Sequence, residues 1–557
     1  MKHLGELDFG FVDAAYLEDV GPVGFVRAVE RFFLQNGFDW IQNIDGSGDQ
    51  GADLVGSYGG RTWAIQCKWK KNQDLGPAAV AEVVGAMDQY RASMGMVVTN
   101  GVFTASCAKA TREARDNLGK DVILVDGTAL RGKWASIPEY VPQRELRPYQ
   151  NQAVAALQAD LESRGKALLV VATGLGKTVI AGRVIAQYML RKPDAQVLVL
   201  AHTKELVSQL ERALWSSSSK FTRTQLIDGE SKPELLKGLT VATHQSAIKY
   251  LRSGYRPALI VIDEAHNVGP ESEYSEIIEL AAEAKLLGLT ATPYRSDTFE
   301  ISTIFGTPSY QMNLVDGINQ GYLADVRYRV FVDTIDWDEV QNQSENSYTI
   351  ADLNRKLFLP QRDADIRDQL LETWNKTVAP RAIIFCQTIA HAEMMAEELR
   401  RVPTWKGTVA LHTNQGARER KINLLKFRSG EVPIITAVDV LNEGVDVPDV
   451  NIVCFVRMTH NRKIFLQQLG RGLRLSSGKT HVEVLDFVTD IRRLRANLDL
   501  KSRVSDGGAS EILFINGRNS HGFEENSAEN LSFRSWVESV ADLDDLDDGA
   551  VLRLPSH

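Results

Sequence analysis

Residues 166–178 read KALLVVATGLGKT, and residues 259–266 read LIVIDEAH. Each is a short apolar, β-branched run that breaks into loop residues, the pattern of a buried strand in a parallel sheet. In the first, Gly174 and Gly176 let the backbone curl so that successive N–H groups converge on phosphate oxygens. Thr173 opens that loop, Lys177 reaches the terminal phosphates, and Thr178 is placed to ligate Mg²⁺. In the second, the strand end aims Asp263 at the metal and leaves Glu264 to orient or deprotonate the attacking water. The strict phosphate-loop pattern asks for glycine where Val171 stands. That loop alone is therefore incomplete, but with the acids downstream it predicts ATP binding and hydrolysis.

The same alternation extends on both sides. From 146 to 325, runs such as VLVLAHT separate helical stretches; from 326 to 500 the pattern resumes with AIIFCQT, PIITAV and NIVCFV. The expected fold class is α/β, with two doubly wound parallel-sheet domains over 146–325 and 326–500. Residues 1–135 form a separate block that opens on a helical face of Phe25, Val29, Phe32 and Phe33. Residues 136–145, with Pro138 and Pro142 and no apolar period, suit a linker. The acidic stretch 501–557, holding DLDDLDD, is expected to be a solvated or disordered end.

Composition narrows the function classes. A chain of 557 residues, 44% hydrophobic and 24% charged, has ample core material for several domains, so global disorder is excluded. No apolar run approaches the roughly 20 residues that span a bilayer. The opening MKHLGELDFG carries acids where an export signal carries bases, so no export is expected. Four cysteines (Cys67, Cys107, Cys386, Cys454) lack a CxxC pair. They predict neither a disulfide framework nor a zinc site, and the expected compartment is the cytoplasm. The net charge is −9, but residues 501–557 hold eleven acids against five bases, leaving the rest near balance. A nucleic-acid partner needs a local basic groove and not a basic total, so the sum excludes nothing.

Further motifs carry a resemblance. ATGLGKT, VLAHTKEL, VATHQSA, DEAH and GLTATPYR resemble the first-lobe motifs of superfamily 2 helicases and translocases. FCQT, TAVDVLNEGVDVPDV and QQLGRGLR resemble those of the second lobe. LRPYQ, GLTATPYR and EGVDVPDV look most like the motor subunits of type I and type III restriction enzymes. The resemblance implies two RecA-like lobes, with Gln150 reading the adenine edge and Arg471 and Arg474 reaching the γ-phosphate. It also implies that Gly444 and Asp446 couple nucleotide state to the site. His202, Thr203, Thr243 and Thr388 are candidate phosphate-backbone contacts or ordinary strand-end caps. His266 and His412, as isolated histidines, are expected to be structural and not metal ligands.

The amino-terminal block carries a second constellation, DGSGDQGADLVGSYGGRTWAIQCKWKK at 45–71. Gly59-Gly60 is a strong two-residue hairpin turn. It sets Tyr58 opposite Arg61 and Asp53 opposite Gln66, with Lys68 two residues along the same face. Leu54, Trp63, Ile65 and Cys67 take the other face as core. An Asp, a side-chain oxygen and a Lys so placed suit metal-assisted phosphodiester hydrolysis: Asp53 holds Mg²⁺ (or Mn²⁺) with the Gln66 amide oxygen and the Cys67 carbonyl. Lys68 orients the water or steadies charge on phosphorus. GSGDQGADL, Gln66-Cys67-Lys68, VVTNGVF and ILVDGTAL resemble the Mrr-like restriction endonuclease domains of the PD-(D/E)xK superfamily. Gln66 stands where the wider superfamily has an acid. The first-helix acid is also displaced, Val26 taking its slot with Glu30 one turn later as a substitute.

Together these imply an ATP-dependent helicase or translocase coupled to a Mg²⁺-dependent endonuclease. The expected partner is DNA, double-stranded above all, with an accessory defence protein as a further candidate and no membrane. Restriction of invading DNA is the expected role. Repair or recombination on host DNA, and a translocase whose front block only binds DNA, are the alternatives.

Overall fold

Gly59 and Gly60 hold φ of +58° and +73°, the paired left-handed geometry of a type I′ turn. The computed structural model in which they are seen describes residues 9–44, 51–70, 74–139, 145–229, 233, 236–270, 272–291, 301–331, 347–357, 363–438, 450–456, 470, 472–475, 479, 481–487, 490–503, 511–515, 537 and 549–553. The turn joins β2 (Leu54–Tyr58) to β3 (Arg61–Lys68) in the expected register, Leu54 opposite Ile65 and Tyr58 opposite Arg61. No heavy atom lies within 4 Å of a Cβ built on Gly60. Gly60→Ala is thus expected to cost only the backbone penalty, roughly 1–2 kcal/mol, read as a lower melting temperature with native spectra.

Around that hairpin the front block forms a five-stranded sheet in the order β1 (Trp40–Asn43), β2, β3, β4 (Met94–Thr99), β5 (Val122–Val125). β1 and β2 run antiparallel to their neighbours, whereas β3, β4 and β5 are parallel. Helix α1 (Ala14–Asp19) leads into α2 (Gly21–Gln35), whose Phe25, Val29, Phe32 and Phe33 join Leu54, Trp63, Ile65 and Cys67 in one core. The opposite face of the sheet meets α3 (Ala78–Gln89): the flat surface at Gly95 is taken by Met87. α4 (Ala105–Leu118) and α5 (Gly127–Ser136) complete the layers.

By contact the chain divides into two compact units. The first (Met1–Leu169, Thr178–Leu289, Ser302–Ser309) contains both the front block and most of a second sheet. After α6 (Pro148–Ser163), that sheet is built from β6 (Lys166–Val171), β7 (Val197–Ala201), β8 (Thr224–Ile227), β9 (Leu239–Thr243), β10 (Leu259–Ile262), β11 (Lys285–Thr290) and β12 (Tyr310–Met312). Its order is β12-β6-β11-β10-β7-β9-β8, and the run β11-β10-β7-β9-β8 is parallel. Helices α7 (Lys177–Arg191), α8 (Lys204–Trp215), α9 (His244–Arg252) and α10 (Glu273–Leu280) connect the strands. Strands buried on both faces need continuous apolar runs, which explains why LIVI and VLVLA do not alternate.

The second unit (Val170–Lys177, Thr290–Ile301, Tyr310–His557) holds a third, seven-stranded parallel sheet. Its order is β16 (Val409–Leu411), β17 (Ile434–Ala437), β15 (Ala382–Cys386), β18 (Ile452–Val456), β19 (His481–Phe487), β13 (Asp325–Phe331), β20 (Glu511–Ile515). The expectation for the acidic end needs correction here. β20 is an edge strand paired with β13, and β21 (Val551–Arg553) pairs antiparallel with β14 (Ser347–Thr349). The apolar run EILFI outweighs the surrounding acids, because an unpaired sheet edge rewards any strand that can satisfy its backbone groups. All four cysteines are buried thiols, and no helix among the described residues is long and apolar enough to cross a membrane.

Candidate active sites

The hairpin register decides the first site. Asp53 N–H donates to Ile65 O, the residue that Leu54 already faces, so the ladder departs from strict register here while the carboxylate comes beside Gln66. Asp53 Oδ2 accepts from Gln66 Nε2 at 2.8 Å and from Cys67 N–H at 2.6 Å. Both Asp53 and Gln66 are buried. Gln66 Oε1 has no hydrogen-bond partner among the described residues, an uncommon state for a buried amide oxygen. A buried carboxylate beside an unsatisfied amide oxygen fits a hard divalent cation, which takes oxygen donors and often only one or two carboxylates. Among the described residues no group of three or more His, Cys, Asp or Glu gathers, at this site or at another.

Lys68 lies on the same face, and its Nζ pairs with Glu82 Oε2 of α3 at 2.6 Å. Thr99 Oγ1 donates to Lys68 O, and the Asn100 amide both accepts from Lys70 N–H and donates to Lys70 O. These contacts pin the end of β3, so the NG of VVTNGVF serves to hold the lysine's strand. Gly127 is required beside it, since a Cβ there would strike Asn100 O. Sequence reading missed Glu82: fourteen residues beyond Lys68, it meets the site only through the packing of α3. Residues 45–50 of the motif lie outside the described residues. Glu30, the substitute acid of α2, has its Oε1 3.2 Å from Arg212 Nη1 of α8.

The second site begins where β6 ends. Val171 is fully buried as the last strand residue, so a side chain is accepted where the strict loop pattern has glycine. Gly174 and Gly176 hold φ of +91° and +84°, and α7 starts at Lys177 with Thr178 next. A Cβ on Gly174 would meet Gly470 O at 2.6 Å and the Cγ of Arg474 at 3.6 Å. Arg474 thus stands beside the loop, within the second compact unit. Thr173 packs against Gly470 in the same way. Gly174→Ala is expected to lower nucleotide affinity about tenfold or more, since a left-handed φ and the approach of Gly470 both oppose a side chain; fluorescent-nucleotide titration measures it.

β10 ends at Ile262, and Asp263 N–H donates to Leu200 O at 3.0 Å, extending the pairing with β7. Glu264 follows with φ +49° and ψ 51°, a left-handed conformation that non-glycine residues rarely adopt outside functional sites. His266 Nδ1 lies 3.3 Å from Glu264 Oε2. His266 is therefore a partner of the acid, consistent with a structural role. Arg471, Gly444 and Asp446 lie outside the described residues.

Family comparison gives the two sites a common frame. Residues 17–133 match the restriction endonuclease family (Mrr_cat), 143–295 the type III restriction enzyme res subunit family, and 363–476 the helicase conserved C-terminal domain. The front of the chain is thus similar to a restriction endonuclease domain, and the two stretches behind it to the parts of a helicase motor.

Within that motor Gln150 is the third residue of α6, its Oε1 accepting from Arg147 N–H and its Nε2 donating to Tyr149 Oη. Thr203, Thr243 and Thr388 each cap a helix, accepting from Leu206, Ser246 and His391 N–H. His412 Nε2 lies 3.3 Å from Glu393 Oε1. His202 stacks on His244, whose Nε2 meets Glu273; burial lowers the His244 pKa against the pull of that carboxylate.

Relatives of the nuclease–motor chain cover both types. It is 25% identical over 475 residues to the EcoKI type I restriction enzyme endonuclease subunit of Escherichia coli, covering 72% of this chain and 40% of that protein. A DNA 3'–5' translocase of Sulfurisphaera tokodaii is 28% identical over 366 residues, covering 59% of this chain and 79% of that protein. A solved structure of the ATP-dependent type ISP restriction-modification enzyme LlaBIII bound to DNA aligns with 96% of this chain and 43% of its own, at a TM-score of 0.53 and 16% identity. That likeness concerns the fold. The chain spans about half the length of the curated relatives it matches.

Proposed function

We propose that the protein is an ATP-dependent DNA translocase or helicase coupled to a divalent-metal-dependent DNA endonuclease, acting in the cytoplasm to restrict invading DNA such as phage genomes. The observation that carries the cutting half is the convergence of Asp53, Gln66 and Lys68 on one sheet face, in the register set by Gly59-Gly60. In this reading Asp53 Oδ atoms and Gln66 Oε1 hold Mg²⁺, which Mn²⁺ can replace. The bound ion would supply Lewis-acid polarisation of the scissile phosphate. Lys68 leaves Glu82 for the phosphodiester and steadies the charge that builds on phosphorus.

At the motor site, Thr173, Gly174, Gly176 and Lys177 hold the ATP phosphates, and Thr178 and Asp263 hold the Mg²⁺ that accompanies them. Glu264 takes the proton of the attacking water. Arg474, beside Gly174, and Arg471 neutralise charge on the γ-phosphate; such arginines are worth about 10³–10⁵ in rate. Gln150 reads the adenine edge, and Asp446 couples nucleotide state to movement. Double-stranded DNA is the proposed substrate, with an accessory defence protein as a further proposed partner.

A second reading, a front block that binds DNA without cutting, is favoured by the Lys68–Glu82 pair, which occupies the lysine. Linear, circular, methylated and single-stranded DNA, each incubated with and without ATP in Mg²⁺ or Mn²⁺, distinguishes the two. Strand cutting supports the first reading, and DNA affinity with no nicking in either ion supports the second.

A further inference from the structure

Two arginines of α2 play no part in the chemistry above, yet Arg31 and the carboxylate that Arg27 holds, Glu211, are among the most enclosed charges in the first compact unit. Arg31 is 1% exposed. Its Nη1 donates to Thr222 O at 2.7 Å and its Nη2 to Ser219 O at 2.9 Å, while the guanidinium lies 4.1 Å from the Phe11 ring centre. Arg27 makes a two-pronged bond to Glu211 of α8, Nε to Oε2 at 3.0 Å and Nη2 to Oε1 at 2.6 Å. Glu211 is 1% exposed and also accepts from Thr224 Oγ1.

A contact of the same kind runs in the other direction. Lys220, on the motor side, is buried against the front block, its Nζ donating to the carbonyls of Trp134 and Ile137 and lying 4.3 Å from the Trp134 ring centre. Gly10 permits this approach, since a Cβ there would strike Lys220 O.

Charges withdrawn from water this far are tolerated only where fixed partners meet them, as two carbonyls meet the Arg31 Nη atoms while its Nε has no partner among the described residues. A domain meant to swing on a tether would have to expose them at each excursion, at the cost of an unpaired buried carboxylate or guanidinium. We propose that the nuclease domain is mounted rigidly on the motor's first lobe through Arg27, Arg31 and Lys220. α8 carries Glu211 and is capped by Thr203, a candidate DNA contact. On the functional reading above, on which this consequence rests, cutting then falls at a constant offset from the strand that the first lobe grips.

The test introduces a protease site between residues 140 and 144 of the full chain, cuts it, and measures the affinity of the two pieces for one another. The pieces of the otherwise unaltered chain are expected to stay together through size exclusion. Arg31→Met, which keeps an apolar stem of similar length, is expected to raise their dissociation constant roughly a hundredfold, as for loss of one partner of a buried charged contact. Glu211→Gln reads the same mount from the motor side, so a folding defect confined to α2 in the first variant does not decide the outcome. Separation of the unaltered pieces, or association indifferent to both substitutions, would overturn the proposal. Association is read without any DNA cutting, so a failed mount and a failed nuclease assignment give different results.

Discussion

Lys68→Ala is expected to abolish DNA strand cutting, by about a hundredfold or more, while DNA-stimulated ATP hydrolysis persists at the parent rate. The size of the effect follows from where the ammonium group sits. It is on the face that carries Asp53 and Gln66, at a strand end held by Thr99 and Asn100, so its reach is directed and not random. Its partner in this structure, Glu82, is 42% exposed, and exposed ion pairs contribute little. A phosphodiester held beside Asp53 by a bound divalent ion would offer Lys68 an anionic oxygen in place of the Glu82 carboxylate, and the exchange would cost little. Alanine leaves the developing charge on phosphorus without its cation. Supercoiled plasmid followed on a gel, with phosphate release measured in parallel, reads both halves. Cutting undiminished in the Lys68→Ala protein would remove the nuclease assignment.

Glu264→Gln should produce the converse at the motor: nucleotide affinity close to the parent, and hydrolysis lower by about 10²–10⁴, the range for loss of a positioned general base. Glutamine preserves size and hydrogen bonding but cannot take a proton. The backbone argues for the same residue. Glu264 holds φ +49°, which costs free energy in any L-residue, and Asp263 before it is tied to the β7 edge through Leu200 O. Such a conformation persists where the surrounding structure needs the side chain in one direction. If strand cutting falls together with hydrolysis in this variant, cutting needs translocation; if cutting survives, the nuclease domain works independently of the motor. Phosphate release equal to the parent would contradict the role given to Glu264.

Local chemistry made much of this legible before any fold was in view. Gly59-Gly60 admits one turn type and the turn admits one register, which the structure has from Tyr58 opposite Arg61 to Leu54 opposite Ile65; beyond it Asp53 bonds Ile65 O through its own N–H and meets Gln66 through the side chains. Gly174 and Gly176 are found at the left-handed φ values that a phosphate-cradling loop demands. What could not be read were contacts made by docking. Glu82 reaches Lys68 from another helix, and no short-range spacing announces it. Nothing in the sequence singles out Arg27 and Arg31, and Glu30 reads as a substitute for the displaced first-helix acid. All three instead face residues some 180 positions later in the chain, where Glu211, Arg212 and Ser219 await them. The DLDDLDD run reads as a solvated or disordered end, and its acids mask the apolar EILFI run that pairs with β13.

The most direct measurement follows covalently closed circular DNA and inorganic phosphate in the same reaction, with the intact protein, Mg²⁺ and ATP. EDTA is then added to a duplicate to withdraw divalent ions from both sites. The account predicts nicked or linear product alongside released phosphate, with both signals lost on chelation. Phosphate release over DNA that stays closed in Mg²⁺ and in Mn²⁺ would contradict it, leaving a motor whose front domain holds DNA without breaking it.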